Sequence, residues 1–377
     1  MKSILVISLS NIKSDPRVTR QLHCLAARYE LVVAGYGQRL GDARIRHVSL
    51  ENSRPTFLTK VKKAIMLRMG FHELVYWTHP AIQSALAKLS GSRFDLVLAN
   101  DIDTLPLALR LAGSAPVLLD AHEYSPREFE ENLAWRMIMQ PYKDYLCRTH
   151  MPRAAGMLTV CQGIADEYER VYGVRPKVVM NAPAAQDLSP AKLTDGKIRL
   201  IHHGAALKGR RLESMIDMAA HLDKRFTLDF MLVPSDADYL ESLKRYAGSE
   251  PRIRFLEPVA LAEICPALNK YDMGIYILEP SNFNNAHALP NKFFEFVQAR
   301  LGVAIGPSPE MAALVKHYNL GVVADSFEPK ALADKLNSLT SDDIYGFKEN
   351  AHLATRDLSF GHSGEVLLGE VRRLLRE

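Results

Sequence analysis

The residues best suited to chemistry lie in two places in the second half of the chain. HHGAALKGRRLESMI, from His202 to Ile216, follows an apolar run and supplies Gly204, then Lys208, Arg210 and Arg211 where a helical pattern opens. A glycine permits close backbone approach, and fixed cations beside a helix N-terminus favour a diphosphate by charge and directed N–H bonds. In ALPNKFFEF, Pro290 stands near a helix start, Lys292 falls in the first turn and Glu295 follows three residues later. Lys292 and Glu295 therefore share one helix face. A bare ion pair is the plainer reading of that spacing. Beside helix amides the pair instead suits phosphate at Lys292 and a ribose hydroxyl pair at Glu295.

The first half offers a second group. PVLLDAHE carries Asp120, His122 and Glu123 to the end of an apolar run, where a histidine can hydrogen-bond a sugar hydroxyl or move a proton near neutral pH. SNIKSDPRVTRQ sets a turn at Asp15 and Pro16 and opens a helix with Arg17 and Arg20. Asp15 reads equally well as a helix cap and as a recognition group. Asn100, Asp101 and Asp103 in LANDIDTL resemble a D-x-D metal motif, but without a third convergent ligand they read as a strand-end cap and loop. No G-x-G-x-x-G fingerprint follows any run, which weighs against a dinucleotide enzyme.

These residues need elements to hold them. Runs rich in Val, Ile and Leu, each followed by a helical pattern, recur at SILVISLS, ELVVAGYG, FDLVLAND, PVLLDAHE, GMLTVCQG and KVVMNAP. A second set comprises IRLIHHG, FTLDFMLVP, IRFLEPV, MGIYILEP, GVAIGPS and LGVVADS. Such runs are buried parallel strands. The pattern breaks at NAPAAQDLSPAKLTDG, which places an interdomain linker there. The expectation is an α/β chain of two Rossmann-like doubly wound domains, residues 1–182 and 197–355. A final helical segment, 356–377, carries an apolar stripe that should pack back on the first domain. Two such domains facing each other would form a cleft lined by strand ends, where open α/β sheets bind ligands.

Composition fits this plan and excludes others. The 377 residues are 47% hydrophobic and 24% charged, which rules out disordered and fibrous classes. Four scattered cysteines without a C-x-x-C pair suggest neither a disulfide framework nor zinc, and a reducing cytoplasm fits best. The N-terminus lacks the features of a signal peptide, and no run reaches the length of a membrane span. Residues 1–180 hold 24 cationic and 17 anionic side chains, a net +7, against 23 and 26, a net −3, in the remainder. The segment 54–77 mixes Lys60, Lys62, Lys63 and Arg68 with apolar residues, as in a basic helix able to lie on an anionic membrane. A helix packed by its apolar side is the equal alternative, and no nucleic-acid partner is expected.

With these motifs in order, the chain resembles glycosyltransferase family 4, of the two-domain GT-B fold. The resemblance rests on SDPRV, DAHE, VVMNAP, the G-x5-R of Gly204 to Arg210, and LPNKFFEF. It implies retaining transfer from a nucleotide-diphosphate sugar to a glycan or lipid-linked acceptor, without an essential metal or any cofactor beyond the donor. It also implies a role in bacterial lipopolysaccharide, capsule or exopolysaccharide synthesis. Carried over by position, His122, Arg210 and Lys292 form the catalytic set, with Arg210 in the place of a diphosphate-binding Lys and His122 near the reacting sugar. Gly204, Lys208, Arg210, His287, Asn291, Lys292 and Glu295 would bind the donor, and Asp15, Arg17, His122 and Glu123 the acceptor. Two positions depart from the pattern. His287 stands where many members have a second glutamate, and Ala205 where a basic residue is common.

Two rival readings share the architecture. A nucleotide-sugar 2-epimerase would need further acid/base carboxylates, which the motifs do not assign. A non-catalytic sugar-nucleotide or glycan-binding subunit would explain His287 and Ala205, but fits poorly with Arg210, Lys292, Glu295 and His122 all being present.

Overall fold

The computed structural model describes residues 1–38, 41–52, 55–194 and 196–377. Its contacts divide into two units. The first holds Met1–Met180 with Asn282–Asn284 and Ser363–Glu377; the second holds Asn181–Ser281 and Asn285–His362.

The first unit is built on seven parallel strands: β1 (Ser3–Asn11), β2 (Glu30–Tyr36), β3 (Ile45–Ser49), β4 (Leu96–Asn100), β5 (Val117–Asp120), β6 (Gly156–Thr159) and β7 (Lys177–Val178). Their order is β3-β2-β1-β4-β5-β6-β7. β4 and β5 are buried along their whole length, as expected of strands covered by helices on both faces. β3 was not among the strands read from the sequence. Its IRHVS has only two apolar residues, separated by Arg46 and His47, and is only partly buried, so it offers no apolar run.

One side of this sheet is closed by the last helix, Phe360–Leu375. Leu367, Leu368, Val371 and Leu375 pack with Ile4, Val6, Leu96, Leu98 and Leu158 in one core. The spacing of these four residues is that of one helix face. Its end is pinned by polar contacts: Lys2 Nζ donates to the Leu375 carbonyl at 2.6 Å, and Tyr29 Oη donates to Glu377 at 2.8 Å. Asn282–Asn284 complete the unit through Asn284, whose side chain accepts from the Tyr124 amide at 2.8 Å and donates to the Tyr124 carbonyl at 3.2 Å.

The second unit holds β8 (Ile198–Ala205), β9 (Phe226–Val233), β10 (Ile253–Leu256), β11 (Met273–Tyr276), β12 (Gly302–Ile305) and β13 (Gly321–Val323). The order β10-β9-β8-β11-β12-β13 repeats the topology of the first unit. In each sheet the order reverses beside its first strand, and the loops at the carboxyl ends there are the places where such sheets bind ligands.

Helix Asn291–Gln298 lies against β11 with every residue from Lys292 to Gln298 buried. Its approach depends on Gly274 of β11, where a Cβ would lie 2.2 Å from Cγ of Phe296. Gly274→Ala should therefore force the helix outward and lower stability by about 1–3 kcal/mol. A urea midpoint equal to that of the wild type would show that Phe296 simply turns aside.

Candidate functional site

At the carboxyl ends of β1, β4 and β5 the first unit gathers a polar cluster around Asp120. This carboxylate is fully buried and takes a bidentate pair from Arg17, Nε at 2.8 Å and Nη2 at 2.6 Å, with Gln21 donating as well. Arg17 Nη1 donates to the Val179 carbonyl at 2.8 Å. Burial alone would raise the Asp120 pKa, but the charges of Arg17 and His122 hold it well below the usual carboxylate range. The expectation for Arg17 is corrected here. Its guanidinium is buried and tied to Asp120, so it positions the cluster instead of meeting an acceptor.

His122 stands over this pair with about one-fifth of its side chain exposed. Nε2 is 3.2 Å from Asn100 Oδ1 and 3.6 Å from Asp120, while Nδ1 is 3.4 Å from Asp101. Both ring nitrogens thus face oxygen acceptors. Burial lowers its pKa, but Asp101 and Asp120 outweigh that and leave it raised. Asp101 holds a left-handed backbone with φ of 64° and accepts from the His122 amide at 3.1 Å. Such a conformation in a non-glycine residue is strained and fits a site whose geometry is fixed by its surroundings.

Glu123 keeps an exposed face, yet the protein around its carboxyl, with the like charges of Glu128 and Asp101, pushes its pKa to about 7. A carboxyl titrating near neutrality can donate or accept a proton. Asp15 caps helix Pro16–Ala26, accepting from the amides of Arg17 and Val18, both at 3.1 Å. Asp103 does not pair with Asp101 around a common point; Lys143 donates to it and lies 3.5 Å from Glu128. Among the described residues no three His, Cys, Asp or Glu side chains are grouped as metal ligands. Sequence reasoning missed Lys143, which sits mid-helix outside any motif and is linked to Asp103 only by the fold.

In the second unit the cations converge on Gly204, which has φ of 124° at the end of β8. A Cβ there would lie 3.2 Å from Lys292 Nζ and 3.9 Å from Arg210 Nη1. Lys292 is buried, with Nζ 4.1 Å from the centre of the Tyr276 ring and 3.2 Å from His202 Nε2. His202 Nδ1 is 2.9 Å from the Ile275 carbonyl, so Nδ1 carries the proton and Nε2 accepts from lysine. No carboxylate lies within ion-pair distance of Lys292 among the described residues. Burial, then the charge of Arg210, drives the lysine pKa well below its ordinary value, against a smaller opposing effect of Glu295.

Glu295 is also buried, one turn on, and its Oε2 is 3.4 Å from His203 Nε2. Burial and the neighbouring Lys292 lower the His203 pKa to about 3, so this ring is neutral. Asn291 opens the helix with Oδ1 buried and without a hydrogen-bond partner. His287 Nδ1 lies 3.1 Å from Glu310 Oε1, which arrives from helix Pro309–Tyr318. Lys208 is exposed on the turn Lys208–Arg210, and Arg211 is engaged by Glu279. Gly204, Arg210, Lys292 and Glu295 are thus brought together, while Lys208 and Arg211 stand apart. The Glu310 partner of His287 had no signal in the sequence, since 23 residues separate the two.

The fold has counterparts of known structure. Anabaena HepE in complex with UDP-glucose is similar at 16% identity, with 99% of this chain and 100% of that chain covered and a TM-score of 0.72. The UDP-forming alpha,alpha-trehalose-phosphate synthase of Burkholderia vietnamiensis is 12% identical, with coverage of 99% and 100% and a TM-score of 0.67. A glycosyltransferase from Rickettsia africae is 12% identical, with coverage of 100% and 99% and a TM-score of 0.68. At these identities the likeness defines the fold, which is GT-B. Residues 17–189 match the model of Glycosyltransferase Family 4, in line with the resemblance carried by the motifs. No curated protein matches the chain.

Two outcomes follow from the electrostatics. Arg17→Met leaves the Asp120 carboxylate buried without its partner and should cost about 3–5 kcal/mol in urea melts; a smaller loss would mean that Gln21 and His122 suffice. For Lys292 the folded pKa lies below the unfolded one, so the unfolded state binds more protons and stability should rise with pH up to the unfolded value. Wild type should therefore gain stability relative to Lys292→Met between pH 7 and 10. Parallel curves would show an ammonium that stays charged in the folded protein.

Proposed function

We propose that the chain transfers a sugar from a nucleotide-diphosphate sugar to a glycan or lipid-linked acceptor with retention at the anomeric carbon. The observation that carries this reading is the convergence of Lys292 and Arg210 on Gly204, with Glu295 one turn away. A buried lysine with no carboxylate within ion-pair distance among the described residues is poised for an anion, and the ends of β8 and β11 are where a sheet of this order takes its ligand. A UDP-sugar is the donor class to test first, because the Anabaena protein HepE was crystallised with UDP-glucose.

In this reading the second unit binds the donor. Lys292 and Arg210 meet the diphosphate, Glu295 the ribose hydroxyls, and His287 and Asn291 the sugar side. As the bond between the anomeric carbon and the phosphate oxygen breaks, charge grows on the diphosphate, and fixed cations stabilise it in a site that needs little reorganisation. The acceptor oxygen bonds to the same face of the sugar, and its proton passes to the leaving phosphate. The first unit holds the acceptor beside His122 and Glu123. No metal or further cofactor enters the scheme. The context is bacterial envelope polysaccharide synthesis in the cytoplasm, with peripheral contact to the inner face of the membrane.

Arg210→Ala and Lys292→Ala should each lower kcat/KM by about 100- to 1,000-fold. Glu295→Gln should weaken nucleoside diphosphate binding about tenfold or more, while His122→Ala should leave that affinity intact and impair transfer. A donor screen reading the released nucleotide, calorimetry of the variants and NMR of the product anomer test the three parts. Near-wild-type turnover in both cation variants would remove the diphosphate assignment, and an inverted product would remove retention.

A further inference from the structure

The helix Phe57–Arg68 packs in an unusual sense. Its one fully buried side chain is Leu67. At 100° per residue, Leu58, Val61, Ile65 and the following Met69 fall on the side roughly opposite Leu67, with Phe57 on the flank at the helix start. Phe57 is 79% exposed, Leu58 77%, Ile65 54% and Met69 65%. The apolar stripe therefore faces solvent, the reverse of a helix packed by its apolar side. Phe71 and Leu74 extend the exposed surface past the helix end. Contiguous apolar surface of this kind on a soluble unit marks a place of attachment.

The charge around it identifies the partner. Residues 52–72 contain five cations and no carboxylate. Arg54 lies outside the described residues. Lys62 and Arg68 are exposed on or beside the apolar face, and Lys60 is exposed nearer the packed side. Lys63 differs: it is half-buried, and burial lowers its pKa while Asp103 acts to raise it and Lys143 to lower it further. An outward apolar stripe edged by cations, with one acid, the exposed Glu73 past the helix end, complements an anionic bilayer, with the stripe at acyl-chain level and the cations among the headgroups. A second apolar set, Leu133 and Met137, lies on helix Leu133–His150, which packs against the first helix. Glu131 stands exposed beside it, so that set is the lesser part of the surface.

We propose that the first unit docks on an anionic membrane surface by inserting the outward stripe of helix Phe57–Arg68, with Lys62 and Arg68 on the headgroups. The docking is independent of the donor site. It bears on the acceptor because the same helix, through Lys63, adjoins Asp103 in the loop that holds Asp101 against His122. A lipid-linked acceptor would then meet the His122 cluster at the bilayer surface, and this last step rests on the transferase reading above.

Cosedimentation of the full chain with vesicles of phosphatidylcholine, alone and with about one-third phosphatidylglycerol, separates the contributions. Wild type should bind the anionic vesicles and release progressively as salt rises. Each of Lys62→Gln and Arg68→Gln should weaken binding about fivefold, and Lys60→Gln, nearer the packed side, should weaken it less. The combined Phe57→Ser, Leu58→Ser, Ile65→Ser variant should bind at least tenfold less even at low salt, with unchanged circular dichroism and unchanged affinity for nucleoside diphosphate. Vesicle binding by that variant equal to wild type would overturn the proposal, as would a wild-type dimer in sedimentation that the same variant abolishes, which would assign the stripe to a second copy. Loss of nucleotide binding in the wild type with vesicle binding intact would instead count against the donor site alone.

Discussion

A parallel sheet covered by helices on both faces can expose polar chemistry only at the ends of its strands, and both units of this chain obey that constraint. The strands themselves are nearly pure hydrocarbon. Every residue that could act chemically is pushed to the carboxyl edge, where chain reversal beside β1 and β8 opens space. Asp120 ends β5 and Gly204 lies near the end of β8, and each becomes the point around which a cluster of charges is arranged. The clusters solve the problem of buried charge in opposite ways. Around Asp120 the charge is neutralised by a bidentate arginine, which gives a rigid platform. Around Gly204 the cations have no carboxylate within ion-pair distance of Lys292, which leaves an unfilled electrostatic demand.

That asymmetry separates positioning from recognition. Arg17 and Asp120 are satisfied, so an incoming molecule has little to gain from them directly; they fix where His122 sits. Burial and the charge of Arg210 depress the Lys292 pKa, and an arriving anion would offset both effects. The lysine thus trades folding stability for readiness, a common feature of sites that bind charge in a dry environment.

Most of the architecture was legible because parallel strands announce themselves as apolar runs. Among the described residues, twelve of thirteen strands carry that signal, and β3 escapes because an edge strand with a wet face does not. Within the sites, residues close in sequence were readable: the glycine and cations after β8, the lysine and glutamate on one helix face, the histidine after β5. What the sequence hid were partners made by the fold. Arg17 meets Asp120 across 103 residues, and Lys143 meets Asp103 across 40. Local spacing has no access to such pairs, and it also misjudged Arg17, whose exposed-looking position at a helix start proved to be interior. The orientation of helix Phe57–Arg68 was likewise undetermined, since its apolar stripe could equally have pointed inward.

The placement of the last helix bears on how the chain is made. Leu367, Leu368, Val371 and Leu375 belong to the core of the unit formed by the first 180 residues. During vectorial synthesis that sheet must therefore wait, with part of one face covered only by helix Pro16–Ala26, until the whole second unit has been translated. The second unit has no such debt, because its strands are contiguous in the chain. The order of completion is thus the reverse of the order of synthesis, and the open face of the first sheet is the surface most in need of chaperone cover on the ribosome.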